Sequence, residues 1–381
     1  MTAPHIFIVA VENSSDQLGA KLISALRRQN SDVHISAIGG AAIKAQNVQS
    51  QVDISGLSIL GFSEAIRAYP LVLKRVKETV ASIMKMDPDV AVLIDSWGFM
   101  IRVSQRLKAA GFKGKIVKYV APQVWAMRES RAKLLAKSVD HVLTIHSFDA
   151  PYFEIHGLSV TYVGNPMFDT DFSQGEGAAI RKDIGVSSEQ RICAVLFGSR
   201  HSELDQLKIS IISAVKKLKL EYPDLVFVSP VSETLKHIIA GGVGMEDIHL
   251  VEEARKYDVF AASDVAIACS GTVTTQLASV GIPTVVIYKL KAFTWWIAKK
   301  LYKPDFISLI NISAGESLMP ELLQDRVTPE NITAAVCSIL DNPAETLRMS
   351  QALKAQANVM RGEKGSASDS AAQKILNLTE D

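Results

Sequence analysis

Short apolar runs alternate along the whole chain with stretches whose apolar positions recur every three to four residues. Runs of strand length followed by helical periodicity predict parallel α/β layers. In the first half the predicted strands cover about 5–11, 33–38, 89–94, 115–120, 141–145 and 160–163, with helices over 16–29, 70–86, 98–110 and 128–137. The polar stretch Gln174-Gly175-Glu176-Gly177 breaks the pattern and reads as a linker. A second series follows, with strands near 192–197, 225–229, 248–251, 264–269 and 284–288. The expected fold is α/β, with two facing, doubly wound Rossmann-like domains over 1–172 and 173–342. A helical tail over 343–381, broken at Gly362 and Gly365, is expected to pack on the first domain or on a partner subunit.

A length of 381 residues with 48% hydrophobic content suits two cores rather than one. With 41 basic and 40 acidic residues the formal charge is +1, which gives no whole-chain field for nucleic acid. Cys193, Cys269 and Cys337 lie far apart without metal-ligand spacing and read as core thiols in a reducing compartment. Asp87-Pro88-Asp89 enters a strand from its amino end and reads as a helix stop, while Asp169-Thr170-Asp171 lacks a strand to fix it. No metal or other cofactor is therefore expected. The N-terminal apolar run, Ile6 to Val11, is of strand length without a basic flank, and no transmembrane span is legible, so the expectation is a cytoplasmic protein.

Ligands of such sheets bind beyond the carboxyl ends of the strands. Two glycine loops stand there in the second half: Gly198-Ser199-Arg200 after the run Cys193 to Phe197, and Ser270-Gly271-Thr272 after Asp264 to Cys269. Each is followed by helical periodicity. A glycine lets phosphate oxygens approach the backbone, the helix N-terminus offers unpaired N–H groups, and Ser, Thr or Arg add directed donors. The pair predicts a diphosphate site. In the first half Asp95 ends a predicted strand and is the candidate base, or else caps the next helix.

The order and spacing of several stretches resemble the lipid-A-disaccharide synthase family, of glycosyltransferase-B fold, over nearly the whole chain. They are Val11 to Asp16 with Leu18-Gly19, Leu93-Ile94-Asp95, Ala121 to Arg128, Tyr162 to Pro166, the two glycine loops with Glu203, and Tyr288 through Asn311 to Gly315. The resemblance implies a metal-independent, inverting transfer of a diacylglucosaminyl group from UDP to diacylglucosamine 1-phosphate, releasing UDP. It implies Asp95 and Arg200 as catalytic, and Glu12, Ser14, Asp16, Gln123, Trp125, Arg128 and Asn165 as substrate-binding. Gly198, Ser199, Arg200, Glu203, Ser270, Gly271, Thr272, Gln276 and Asn311 would hold UDP. The implied partners are a UDP-linked acylated amino sugar, a lipid acceptor, the cytoplasmic face of a Gram-negative-type inner membrane and a second copy of the chain.

The chain departs from the family pattern at several motif positions. Val11 and Ser15 stand in place of glycines, Ser96 to Met100 replace Ala-Pro-Asp-Phe-Asn, and Gln123 and Met127 replace Ser and Trp. Asn165 replaces His, Phe197 replaces Pro, and Gln276 replaces a glutamate suited to ribose hydroxyls. These changes leave open a diverged paralogue with another acceptor, or a non-catalytic UDP-sugar-binding regulator; a nucleotide-sugar epimerase shares the two-domain fold. Two segments suit a lipid surface: Leu57 to Phe62, leading into Ile66 and Leu71, and Lys289 to Lys303, where five lysines mix with Phe293, Trp295, Trp296, Leu301 and Tyr302. Core packing of the aromatics with lysines toward water is the alternative reading of the second.

Overall fold

The computed structural model describes residues 3–57, 62–198, 200–233, 235–236, 245–362 and 365–380. The chain divides into two compact units, Met1–Asp169 with Met360–Asp381, and Thr170–Val359.

The first unit runs β1 (His5–Val9), α1 (Asn13–Gln29), β2 (His34–Ile38), α2 (Ala41–Ala45), α3 (Phe62–Met86), β3 (Val90–Ile94), α4 (Trp97–Ala109), β4 (Lys115–Tyr119), α5 (Ser130–Ala136), β5 (His141–Thr144), α6 (Ala150–Glu154) and β6 (Ser159–Tyr162). Its strands are parallel in the order β2-β1-β3-β4-β5-β6. Strands covered by helices on both faces read as near-continuous apolar runs, and Val90 to Ile94 are all buried. Alternate side chains of β1 serve opposite faces: Phe7 and Val9 join one core cluster, Ile6 and Ile8 the other. Each fully buried side chain of this kind contributes roughly 1.5–3 kcal/mol.

The second unit runs α7 (Gly177–Asp183), β7 (Ile192–Leu196), α8 (His201–Glu221), β8 (Val226–Val231), β9 (Ile248–Glu252), α9 (Lys256–Ala262), β10 (Val265–Cys269), α10 (Thr272–Val280), β11 (Thr284–Tyr288), α11 (Ala292–Leu301), α12 (Leu309–Ala314), β12 (Glu321–Leu323), α13 (Pro329–Leu340) and α14 (Pro343–Arg361). Its parallel order is β12-β11-β10-β7-β8-β9. β7 alternates as β1 does, with Cys193 and Val195 in one cluster and Ile192 and Ala194 in the other.

Three features differ from the sequence expectation. The third helix starts at Phe62 rather than near 70 and carries Pro70 in its interior. β12 was not expected, since three residues are too short to show an alternation. The stretch after 343 is divided: α14 belongs to the second unit as far as Val359, whereas α15 (Ala367–Asn377) belongs to the first. There Ala371, Ala372 and Ile375 enter the same core as Leu22, Ile23 and Leu26 of α1. Asp169 fastens this return by accepting from the Ala367 N–H at 2.9 Å, and Arg28 pairs with Asp369 at 2.5 Å.

Candidate functional site

In each sheet the chain first builds outward on one side and then returns to build on the other, so the loops after the two central strands splay apart. In the second sheet those strands are β7 and β10, paired with Leu196 beside Ala268. The loops that leave them carry Gly198 and Ser270-Gly271-Thr272. Both line one pocket of about 480 Å³, together with Arg200, Glu203 and Gln276.

The two glycines act differently. Gly198 has φ 99°, and a Cβ there would sit 2.6 Å from Glu203 Oε2 and 3.2 Å from Cys269 Sγ, so the loop requires glycine. Gly271 is extended, at φ 166°, and a Cβ there would meet no atom within 4 Å. Its lack of a side chain instead keeps the backbone bare beside the first turn of α10.

Arg200 opens α8. Its Nη1 donates to Glu203 Oε1 at 2.8 Å and its backbone N–H to Glu203 Oε2 at 3.2 Å. That carboxylate raises the guanidinium above its ordinary pKa and offsets the mismatch of a cation at a helix N-terminus. The Arg200 side chain is nevertheless 76% exposed, so its remaining donors are open to a ligand anion. Ser270 is anchored through its N–H to Ile287 O at 3.0 Å, and Thr274 Oγ1 donates to Gly271 O at 2.7 Å. Lys256 and Ser232 also line the pocket, and no motif in the sequence marked them. Ser199 lies outside the described residues. Asn311 is not brought to this pocket: it is fully buried, donates to Met319 O and Glu321 Oε1 at 2.8 Å each, and fastens the approach to β12.

In the first sheet the central strands are β1 and β3, with Val9 beside Leu93. The loops that leave them carry Glu12 and Asp95. Asp95 and Ser96 both have positive φ, 50° and 40°, in the left-handed region that side chains rarely adopt. Ser96 Oγ donates to Glu12 Oε1 at 2.7 Å, joining the two loops. Asp95 is half-buried and lines a pocket of about 270 Å³ with Ser14, Lys21, Val120 and Asn165. Val120 also has positive φ, 68°, so the ends of β3 and β4 both turn through strained backbone.

Other residues named from the sequence here have structural duties. Asp16 is 3% exposed, and its carboxylate accepts from the N–H groups of Gly40 at 2.7 Å, Ala42 at 2.8 Å and Ile43 at 3.3 Å, capping α2. Ser15, standing where the family pattern has glycine, accepts from the Glu12 N–H at 3.0 Å and so caps α1. Asn165 Oδ1 accepts from the Met167 N–H at 3.0 Å, closing a turn, while its own N–H donates to Met360 O at 3.0 Å. Gln123 and Arg128 are exposed, the latter at φ 59°, and neither lines the pocket with Asp95. Trp125 is buried edge-on against His146 and Phe148, at 5.9 and 5.2 Å between ring centroids. Burial pushes the His146 imidazole down to about 4 and the neighbouring Asp149 carboxyl up to about 7, so His146 is neutral near pH 7.

One residue beneath this site was missed. Lys118 is 2% exposed, and its Nζ donates to Asp95 O at 2.7 Å, Tyr119 O at 3.1 Å and Leu93 O at 3.4 Å. The signal was a lysine inside the strand run Lys115-Ile116-Val117-Lys118-Tyr119, where a charge is costly unless it is paired.

Among the described residues no group of three His, Cys, Asp or Glu is placed to hold a metal ion, and no helix is long and apolar enough to cross a membrane. The membrane candidates Ser58 to Gly61 lie outside the described residues, as do the side chains of Phe62, Ile66 and Phe293.

Over its full span the chain is similar to solved structures of a UDP-N-acetylglucosamine 2-epimerase from Listeria monocytogenes (TM-score 0.65, 14% identity, 98% of this chain and 95% of the other) and the glycosyltransferase of kitacinnamycin (0.64, 15%, 99% and 100%). At such identities they establish the two-domain α/β fold. The lipid-A-disaccharide synthase of Paramagnetospirillum magneticum is 37% identical over 356 residues, covering 92% of this chain and 91% of its own. That of Rhodospirillum centenum is 36% identical over 343 residues, covering 89% and 86%. The family model for lipid-A-disaccharide synthetase matches residues 6–376, and the chain belongs to that family.

Proposed function

We propose that this chain is a UDP-sugar glycosyltransferase of lipid A synthesis, moving a diacylglucosaminyl group from UDP to diacylglucosamine 1-phosphate. The observation that carries the reading is the convergence of both glycine loops on one pocket at the switch point of the second sheet, with Arg200 exposed beside it. The N-terminal turns of α8 and α10, Arg200 and Thr272 receive the diphosphate, and Gln276 takes a ribose hydroxyl. Asp95 removes the proton of the acceptor hydroxyl as its oxygen bonds to the anomeric carbon, while the bond from that carbon to the UDP oxygen breaks. The negative charge that grows on the departing diphosphate is met by Arg200 and the backbone N–H groups. Attack opposite the leaving group inverts the anomeric centre.

The same reading places the enzyme on a membrane surface, where both lipid substrates reside. It is supported by α11, in which Trp296 is 58% and Leu301 50% exposed, and Lys300 Nζ lies 3.7 Å from the Trp296 ring centroid. Exposed aromatic and aliphatic side chains beside Lys299 and Lys300 suit an anionic lipid interface. The test is to incubate purified protein with UDP-diacylglucosamine and the monosaccharide 1-phosphate. Disaccharide phosphate and UDP should appear in equal amounts, and Asp95→Ala should form little of either. Absence of product from wild-type protein that binds UDP would refute the assignment.

A further inference from the structure

Lys118 is the most deeply placed cation near the first sheet's switch point, and packing does not require it. A strand covered on both faces is served by valine or isoleucine at such a position, whereas an ammonium there gives up its hydration. Its Nζ is directed instead at the ends of two strands, reaching the carbonyls of Leu93 and Asp95 on one side and Tyr119 on the other. The Asp95 carbonyl it binds at 2.7 Å belongs to the first of two successive residues at positive φ. Left-handed backbone at consecutive non-glycine residues persists only where its surroundings fix it.

We propose that Lys118 is a positioning residue: by holding the Asp95 carbonyl it maintains the left-handed Asp95–Ser96 turn that aims the Asp95 carboxylate. The inference rests on the reading of Asp95 as the base. The carboxylates of Asp95 and Glu12 act on the ammonium in the opposite sense to burial, which draws its pKa down to about 7. Glu12 in turn accepts from Ser96 Oγ, so the same turn is held from two sides.

The test uses Lys118→Met in the full-length protein, which keeps the stem and removes the donors. We expect kcat to fall about 100-fold, with KM for both substrates and UDP affinity within about twofold of wild type, because a displaced catalytic group costs rate rather than ground-state binding. Combined with Asp95→Asn, the substitution should slow the enzyme no further than Asp95→Asn alone, since both act through one carboxylate. Hydrogen exchange at the Asp95 amide, which donates to Tyr119 O at 2.9 Å, should accelerate while exchange in α15 is unchanged. Wild-type kcat, multiplying losses in the double variant, or unaltered exchange at Asp95 would each overturn the proposal. Should wild-type protein make no disaccharide, the reading of the reaction fails, and the exchange measurement still decides what Lys118 does. Should Lys118→Met not fold, Lys118→Gln is measured in the same way.

Discussion

The loops at the second sheet's switch point and those at the first are built on opposite plans. In the second unit the Arg200 side chain is mostly in solvent, Gly271 faces open space and the pocket they line is about 480 Å³. In the first unit the pocket is about 270 Å³ and the polar groups around it are largely engaged with their own chain. Asp16 serves three backbone N–H groups, Ser15 caps α1, Asn165 closes a turn, and Ser96 and Glu12 hold each other. Asp95 is the carboxylate there that takes no hydrogen bond from the described residues. A site that grips a diphosphate needs open donors, whereas a site that removes one proton needs one carboxylate fixed in direction. On the proposed reading the first unit supplies the base, and the second receives the diphosphate and the charge that grows on it.

Substitutions can break that separation. The largest effect expected is from Asp95→Asn, which should lower kcat on the order of 1,000-fold, measured by UDP release, because the amide cannot accept the acceptor's proton. Next is Gly198→Val, where positive φ and contact with Glu203 and Cys269 combine; thermal unfolding should show a loss of about 3 kcal/mol. Gly271→Ala should leave the unfolding temperature within about 1 °C, as its Cβ enters open space, and should weaken UDP binding alone. Asp16→Ala should cost about 2 kcal/mol of stability through the uncapped N-terminus of α2, with Km values unchanged in the folded fraction. The smallest is Arg200→Ala, which should raise the Kd for UDP about tenfold without changing stability, since it removes a charge-assisted contact from an exposed side chain.

Much of this was legible in the sequence because of how parallel sheets are made. Strands buried on both faces appear as unbroken apolar runs, such as Ile192 to Leu196 and Val265 to Cys269, and their carboxyl ends locate the glycine loops that line the second unit's pocket. The duties of single polar residues were harder to read. Asp16 and Asn311 lie within motif stretches, yet their partners are groups brought near only by folding: backbone N–H groups of Gly40 and α2 for Asp16, and Met319 O with the Glu321 carboxylate for Asn311. Lys118 depends on a register that sets it beside Leu93, a pairing that periodicity does not reveal. The return of α15 to α1 is likewise a contact between the two ends of the chain.

The most direct test of the division between grip and chemistry is a calorimetric titration of UDP into Asp95→Asn beside wild type. Kd values within about twofold of each other are expected, since the proposed base lies in the first unit and the proposed diphosphate loops in the second. A loss of UDP affinity comparable to the loss of turnover would contradict it.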